Sequence, residues 1–144
     1  MEFLYNDGGR ADAGYKGTAR DCVCRAIAIA TGKSYAEIYE YLAVQNKKQK
    51  GIKSARNGIF TKGKWFKDYM KSLGFEWVSC MGIGTGCKVH LKKSELPSGT
   101  IICSVSRHFV AVIDGVINDT YNCSRNETRC VYGYWKLNNR LETL

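Results

Sequence analysis

No part of the sequence limits the possible folds more than HFVAVIDGVINDTY at residues 108–121, because this stretch predicts a tight β-hairpin. Two apolar runs flank Asp114-Gly115, and an Asp-Gly pair in this setting is the strongest short-range signal for a two-residue hairpin turn. A turn of that length fixes the register of the two strands, which places Val110 opposite Asp119. The fold is therefore expected to contain a sheet built around this hairpin.

The same register predicts that His108 and Asp119 lie close together. Successive residues of a strand point to opposite faces of the sheet, so these two share one face as diagonal neighbours, within roughly 5 to 8 Å between β-carbons, while Asn118 points the other way. Nearly every other position of the two strands is apolar. A carboxylate beside a histidine fixes the tautomer of the ring and stabilises the imidazolium. The alternative is a purely structural pair, in which each side chain only supplies the hydrogen-bond partner of the other within the sheet.

Three helices are predicted before the strands begin. The stretch DCVCRAIAIATG at residues 21–32 is small and apolar, begins with a capping aspartate and ends with a glycine, as a short buried helix does. The spacing of Ser34 and Glu37 is that of a capping box, which begins a second helix that runs to about Lys48. A third helix is predicted at residues 64–74. The faces expected to be buried are Ile38, Tyr41, Leu42 and Gln45 in the second helix and Trp65, Phe66, Tyr69, Met70 and Leu73 in the third.

Strand patterns dominate after Gly74. The segments are FEWVSC, KVHL, TIICSVS, HFVAVI, VINDTY and CVYGYW. Helices followed by strands predict an α+β fold, in which N-terminal helices pack on a mainly antiparallel sheet. The 144 residues fit a single domain, 1–144, in which residues 1–20 are expected to form an irregular, glycine-rich arm.

The cysteine count and the first residues of the chain indicate a reducing compartment. Seven is an odd number of cysteines, so at least one thiol stays free, and MEFLYNDGGR has neither the basic flank nor the apolar run of a secretory signal. The longest apolar run, from Ala26 to Ala30, is much shorter than the roughly 20 residues needed to cross a bilayer. A cytoplasmic protein without a membrane span is expected.

Cys22 stands at the first turn of the first predicted helix, where a thiol is readily activated. A helix N-terminus carries partial positive charge, and a thiolate there beside an imidazolium has a lowered pKa. An early cysteine at a helix start, a later histidine on a strand and an aspartate on the next strand predict Cys22 as nucleophile, His108 as base and Asp119 as the group that orients the base. Cys24 is the other candidate nucleophile in this helix, but it points roughly 200 degrees around the helix from Cys22.

The chain order Cys22, His108, Asp119 resembles that of the papain-like cysteine peptidase superfamily. The stretches YNDGGR, GYKG, DCVCRAIAIATGKSY, SRHFVAVIDGVINDT and CVYGYW are similar to a family of uncharacterised bacteriophage proteins. The resemblance implies a papain-like fold with Cys22 and His108 in the catalytic motif, in the host cytoplasm if a phage encodes the chain. The expected activity is hydrolysis of an amide or isopeptide bond of a protein or peptide substrate, including a host protein, while deamidation and transfer to an amine use the same residues. No cofactor and no metal are expected.

One part of the papain-like pattern is missing, because those enzymes usually carry a glutamine before the nucleophile that completes the oxyanion hole. No glutamine precedes Cys22. Asn6 in the glycine-rich arm is the nearest amide side chain, and we expect it to act with the backbone N–H of Cys22 as the two donors. Losing one such donor typically costs about 100- to 1000-fold in turnover. Without Asn6 as donor, the expectation is a weak enzyme or a binding module.

A basic cluster, defined as the nine basic residues between Lys47 and Lys71, supports a nucleic-acid-binding module or a module for an acidic host protein as the alternative function. The net charge is +9, and this cluster contains a single acidic residue, Asp68. Such a charge excess attracts phosphates or an acidic protein surface. The aromatic residues beside it, Trp65, Phe66 and Tyr69, are expected to face inward. The basic residues are Lys47, Lys48, Lys50, Lys53, Arg56, Lys62, Lys64, Lys67 and Lys71.

A zinc site is the other alternative. Its possible ligands are Cys80, Cys87, Cys123 and Cys130, with His90 close by. Six residues separate the members of each cysteine pair, whereas zinc knuckles use two to four. The spacing therefore favours buried or incidental thiols over a metal centre.

Overall fold

Helices and strands are largely segregated along the chain, and the structure has the predicted α+β organisation. The computed structural model describes residues 1–17, 19–50, 54–55 and 58–138. The helices of these residues are α1 (Cys22–Thr31), α2 (Tyr35–Lys50) and α3 (Lys64–Ser72), with a short 3-10 turn at Lys93–Glu95, and the strands are β1 (Phe3–Tyr5), β2 (Phe75–Ser79), β3 (Thr100–Val105), β4 (His108–Ile113), β5 (Val116–Asp119) and β6 (Gly133–Leu137). None of these helices has the length and apolar character needed to cross a membrane.

One sheet contains all six of these strands, in the order β1-β5-β4-β3-β6-β2. β1 runs parallel to β5 and every other neighbouring pair is antiparallel, which confirms the predicted mainly antiparallel sheet. The β4–β5 hairpin has the predicted register, with Val112 opposite Ile117 and Ile113 opposite Val116. Asp114 in its turn has a φ of 48° and the glycine that follows has a φ of 80°, a backbone that an Asp-Gly pair tolerates.

The beginning of the chain corrects the expectation of an irregular arm over residues 1–20. Phe3–Tyr5 form β1, the edge strand of the sheet, in which Tyr5 pairs with Asp119. The backbone N–H of Asn6 continues this pairing and donates to the carbonyl of Asp119 at 2.9 Å. A strand of three residues is too short to produce an alternating pattern, and its partner strand lies far along the chain, so local sequence signals could not predict it.

The predicted KVHL strand at residues 88–91 is also wrong. Its only β-pairing is an isolated bridge between His90 and Cys130. The N–H of Leu91 donates to the carbonyl of Arg129 at 2.8 Å, so this segment crosses another loop instead of joining the sheet. Leu91 belongs to the β2–β3 loop, residues 80–99, and Arg129 belongs to the β5–β6 loop, residues 120–132.

The ends of the helices follow local sequence signals, with one exception. Gly32 ends α1 in the left-handed conformation, with a φ of 74° and its N–H on the carbonyl of Ala28. The hydroxyl of Ser34 accepts the N–H of Glu37 at 3.1 Å, which is half of the predicted capping box. The exception is Asp21, whose side chain forms no capping hydrogen bond with α1.

The buried faces of α2 and α3 differ slightly from those predicted. In α2, Ile38 and Leu42 are buried, as predicted, but Tyr41 is 40% exposed. In α3, Phe66 and Met70 are fully buried. These side chains pack between the helices and the sheet.

Two apolar clusters cover both faces of the sheet. The helix-side cluster joins buried residues of the three helices to Ile102 of β3. The loop-side cluster contains Ile101 of the same strand and buried residues of the two loops, such as Leu91 and Val131. Consecutive strand residues thus belong to opposite clusters, as the period of two requires. Each fully buried aliphatic side chain contributes about 1.5–3 kcal/mol, so the sheet is held firmly from both sides.

Candidate active site

Three predicted site residues meet at one end of the sheet. Cys22 is the first residue of α1, His108 is the first residue of β4 and Asp119 is the last residue of β5. Because α1 packs on β4, its N-terminus lies beside the end of the hairpin at which His108 and Asp119 stand. We call Cys22, His108 and Asp119 the sheet-end group.

His108 and Asp119 form the pair that the hairpin register predicts. Nε2 of His108 lies 2.6 Å from Oδ2 of Asp119, and the two side chains are only 8% and 4% exposed. The other carboxylate oxygen of Asp119 accepts the N–H of Thr120 at 2.7 Å. With Nε2 on the carboxylate, Nδ1 remains for a partner on the other side of the ring, which is the arrangement that a catalytic imidazole needs.

The Cys22 thiol has the partners of an activated nucleophile. Its Sγ accepts the backbone N–H of Phe109 at 3.4 Å and interacts with the His108 ring. Burial raises the pKa of the thiol, but the hydrogen bond and charge of His108, the N–H of Phe109 and the charge of Arg25 together hold the pKa below its ordinary value of 9.0. Cys22 is half-buried and lines a cleft at the protein surface.

The His108 imidazole has a pKa shifted in the opposite direction. Burial lowers the pKa of the ring, but its bond to Asp119 and its contacts with Cys123 and Cys22 outweigh burial and raise the pKa above its ordinary value of 6.5. A lowered thiol pKa and a raised imidazole pKa favour a thiolate–imidazolium pair near neutral pH.

Cys24, two residues from Cys22, has the opposite character. Its side chain is fully buried, and its Sγ lies 3.8 Å from the carbonyl oxygen of Tyr35. Burial raises the pKa of the Cys24 thiol to about 12, with the charge of Asp21 acting in the same direction. Only one of the two cysteines is therefore suited to nucleophilic chemistry.

A chain of buried charges supports the sheet-end group, and sequence reasoning missed it. Arg25 lies between two carboxylates, bonded to Asp21 and 3.3 Å from Oδ1 of Asp119. Asp21 also accepts the hydroxyl of Tyr35 and pairs with Arg10 at 3.2 Å. The sequence signal was available, since a charged residue inside an otherwise apolar helix, four residues after an aspartate, predicts a buried ion pair.

Cys123 of the β5–β6 loop is the second missed residue, because its sulfur lies within 4.8 Å of a ring nitrogen of His108. The potential ligand atoms of His108, Asp119 and Cys123 lie within 4.8 Å of one another. Among the described residues, these three form the one group of at least three side chains that could hold a metal ion. One imidazole, one carboxylate and one thiol are a donor set that suits zinc. Cys123 carries no strand or helix signal around it, so the sequence indicated only a possible zinc ligand in a different set.

The zinc site that the sequence offered as an alternative is not assembled. Its possible ligands were Cys80, Cys87, Cys123, Cys130 and His90. Cys87 and Cys130 form a disulfide with their Cα atoms 5.9 Å apart. This disulfide differs from the expectation of buried or incidental thiols in a reducing compartment. The free cysteines of the described residues are Cys22, Cys24, Cys80, Cys103 and Cys123. The two loops cross at this point, which brings together sulfurs that lie 43 residues apart in the sequence.

Asn6 does not reach the candidate active site, which corrects its predicted role in the oxyanion hole. Its amide nitrogen lies 3.3 Å from Oδ1 of Asn118, and its own Oδ1 accepts the N–H of Gly8 at 2.9 Å. Asn118 faces away from the side of β5 that carries Asp119. The pairing of β1 with β5 therefore fixes Asn6 on the wrong side of the strand.

A solvent-accessible cleft of about 410 Å³ opens beside Cys22. Its lining includes Cys22 and His108 together with Arg20, Lys62 and Tyr132. Six lysines of the basic cluster are exposed, namely Lys47, Lys48, Lys62, Lys64, Lys67 and Lys71. Phe66 and Tyr69 are buried as expected. Lys53 and Arg56 of that cluster lie outside the described residues.

The arrangement contains the parts of thiol-based acyl transfer: a thiol of lowered pKa at a helix N-terminus, an imidazole beside it and a carboxylate that orients the imidazole. No family model, no curated protein and no solved structure matches the chain.

Proposed function

We propose that the protein is a papain-like cysteine hydrolase that cleaves an amide or isopeptide bond of a protein or peptide. Cys22 is the nucleophile, His108 the acid and base, and Asp119 the group that orients the ring. One observation carries the proposal: the sulfur at the start of α1 accepts the backbone N–H of Phe109 at 3.4 Å, and the neighbouring residue His108 has its Nε2 bound by a buried carboxylate at 2.6 Å.

The first half of the reaction forms a thioester. The Cys22 thiolate attacks the substrate carbonyl carbon, and the carbonyl π electrons move to the oxygen of a tetrahedral intermediate. The imidazolium of His108 then gives its proton to the leaving amine as the carbon–nitrogen bond breaks. Asp119 keeps the ring oriented toward the sulfur throughout.

The second half releases the acyl group. His108, now neutral, takes a proton from a water molecule, and the resulting hydroxide attacks the thioester carbonyl. The carbon–sulfur bond breaks, and Cys22 leaves as a thiolate beside the regenerated imidazolium. An amine in place of water gives transfer by the same steps.

Stabilisation of the oxyanion is assigned to the start of α1. The N–H groups of the first turn have no acceptor within the helix and point toward the end at which the Cys22 sulfur lies. Arg20 lines the same cleft, two residues before the nucleophile, and takes the role of side-chain donor that Asn6 cannot fill. Arg20→Ala is expected to lower turnover about 100-fold with little change in KM.

Alkylation of the reduced protein tests the proposal. Iodoacetamide at pH 6.5, followed by peptide mapping, measures the rate at each cysteine, and Cys22 is expected to react faster than the half-buried Cys80, whose thiol pKa is raised by burial. His108→Ala is expected to slow Cys22, whereas the matched change His90→Ala leaves its rate unchanged. Labelling of Cys22 at the rate of Cys80, or without any effect of His108→Ala, would contradict the proposal.

A further inference from the structure

A second cavity of about 460 Å³ opens next to the cleft over the nucleophile. The two share part of their lining, including Ser104, Phe109 and Tyr132. Phe109 links them most directly, since its backbone N–H binds the Cys22 sulfur at 3.4 Å while the residue also lines the second cavity. The second cavity and the cleft beside Cys22 therefore adjoin at Phe109.

The walls of this cavity are aromatic. Trp77 of β2 and Trp135 of β6 are paired across neighbouring strands and pack against each other, with their ring centroids 5.1 Å apart and their planes tilted by 55°. Phe109 and Tyr132 also belong to the lining. Trp77 is 41% exposed and Tyr132 is 38% exposed, a large apolar area for a surface with no described partner. A β-carbon at Gly133 would lie 2.3 Å from the Trp77 ring, so the glycine makes room for that ring against the sheet.

The rim of the cavity is positively charged. Lys62, Lys67 and Lys71 line it, and the last two are four residues apart, one helical turn, on α3. The nearest acidic residue in the sequence, Asp68, is bonded to Lys64 at 2.7 Å. Within the described residues, none of the three rim lysines forms an ion pair with a carboxylate within 4.0 Å, although the charge of Lys71 helps to lower the pKa of Asp68.

We propose that this cavity is a substrate subsite for an acidic peptide segment, an inference that rests on the proposed function. A large apolar side chain enters between the aromatic walls, and flanking Asp or Glu carboxylates meet Lys62, Lys67 and Lys71. Apolar walls with a few charged groups at the mouth are the usual composition of a pocket that orients a ligand. The subsite gives the enzyme a preference for acidic sequences with an aromatic residue near the cleaved bond.

A peptide fits these observations better than a nucleic acid. Single-stranded nucleic acid binds along an extended groove, on which successive bases stack on exposed aromatic rings. Here four aromatic residues line one cavity, and the aromatic residues of α3 are buried or half-buried. The charge at the mouth matches three carboxylates rather than a long phosphate backbone.

Binding to full-length Cys22→Ala protein tests the subsite without requiring catalysis. Fluorescein-labelled heptapeptides with a central Phe flanked by Glu or by Lys are compared by anisotropy at 0.05 M and 0.15 M salt, with a labelled dT12 oligonucleotide as the third probe. We expect the Glu peptide to bind about tenfold more tightly than the Lys peptide, as three exposed charge pairs allow. Lys67→Glu with Lys71→Glu is expected to remove or reverse that preference.

Controls separate this subsite from general electrostatic attraction. The matched double change Lys47→Glu with Lys48→Glu, on the exposed part of α2, keeps the total charge equal to that of the first double variant and is expected to leave the preference intact. Trp77→Ala is expected to weaken binding of the peptide with central Phe more than binding of the same peptide with Ala in place of Phe. Equal affinity for the Glu and Lys peptides, an equal effect of both double variants, or tighter binding of the oligonucleotide would overturn the proposal.

The subsite and the catalytic proposal fail in different ways. If the Glu peptide binds as expected but parent protein hydrolyses no peptide, the subsite stands as a binding site and the proposed function falls. If parent protein hydrolyses peptides with no preference for acidic sequences, the proposed function stands and the subsite falls.

Discussion

The chain holds a second Cys–His–carboxylate group, and it makes an instructive contrast with the sheet-end group. In the β2–β3 loop, Nε2 of His90 lies 3.7 Å from the sulfur of Cys87, and Nδ1 of the same ring lies 3.2 Å from Glu95. We call Cys87, His90 and Glu95 the loop group. Both groups have a thiol-derived sulfur, an imidazole and a carboxylate in contact, yet only one of them has the surroundings of a catalytic site.

Burial and support distinguish the two groups. Asp119 is 3% exposed and is held by Arg25 and by a backbone N–H, whereas Glu95 is exposed to solvent. The sulfur of Cys87 is tied up in a disulfide, while Cys22 is free at the start of a helix. Because water screens exposed charges, proximity alone does little to activate a thiol. Placement at a helix N-terminus beside a buried ion pair is what separates the sheet-end group.

Replacing the nucleophile should separate the two groups most strongly. Cys22→Ala is expected to slow hydrolysis of any peptide that the parent cleaves by on the order of 10⁴-fold or more, since removing the nucleophile removes the covalent route. Cys87→Ser is expected to leave the rate within about twofold, because Cys87 does not line the cleft. Comparable losses in the two variants would erase the distinction.

Removing the cation beside each carboxylate tests the difference in burial. Arg25→Met leaves Asp21 and Asp119 buried without their shared partner, and it is expected to lower the free energy of unfolding by about 3–5 kcal/mol. Lys92→Ala, which removes the cation near exposed Glu95, is the matched control and should leave the urea midpoint unchanged. An Arg25→Met protein as stable as the parent would mean that the buried charges are not coupled.

The disulfide should matter for stability and not for the chemistry. Cys130→Ser under oxidising conditions is expected to lower the free energy of unfolding by about 2–4 kcal/mol, because a loop of this length loses its cross-link in the unfolded state. The rate of Cys22 alkylation by iodoacetamide should stay the same below the unfolding transition. A slower reaction at Cys22 would mean that the β5–β6 loop, through Cys123, controls His108.

The pH dependence of alkylation should give the smallest but most specific difference. Burial raises the pKa of Cys22, but His108 outweighs burial and lowers it. Burial lowers the pKa of His108, and the bond to Asp119 raises it. Asp119→Asn therefore lowers the pKa of His108, so that less of the ring is protonated near neutral pH. Loss of that positive charge raises the pKa of Cys22. Alkylation of Cys22 at pH 6.5 is expected to slow by about tenfold, with its midpoint moved to higher pH.

The loop group supplies the control for that profile. Cys130→Ser frees the Cys87 thiol beside His90, and Glu95→Gln removes the carboxylate from the ring. The profile of Cys87 alkylation is expected to change little, because Cys87 and Glu95 are exposed and His90 is only half-buried, so that water screens their charges. An equal shift of both profiles would show that the carboxylate acts without burial.

Sequence reasoning predicted the parts of this protein that depend on short-range rules. The Asp-Gly turn fixed the hairpin register, and the register alone brought His108 and Asp119 together. The helix at Cys22 followed from its apolar run and its terminal glycine. These signals are local, because turn residues and helix ends constrain backbone conformation within a few positions.

The missed features all depend on partners far along the chain. β1 and the displacement of Asn6 follow from pairing with β5, which no local pattern indicates. Arg25 reaches an aspartate 94 residues away, and Cys123 enters the site from an irregular loop. Tertiary contacts of this kind decide which side of a strand faces the site, and a single sequence does not encode them as periodicity.

The parallel pairing of β1 with β5 and the contact of Cys22 with Phe109 have a consequence during synthesis. Cys22 emerges 87 residues before the backbone N–H that binds its sulfur, which at about 5–20 residues per second is a delay of roughly 4 to 17 seconds. Throughout that interval the nascent chain lacks the Phe109 N–H and the His108 ring that lower the pKa of the thiol. A chain that ends before the hairpin therefore lacks the groups that lower the pKa of Cys22.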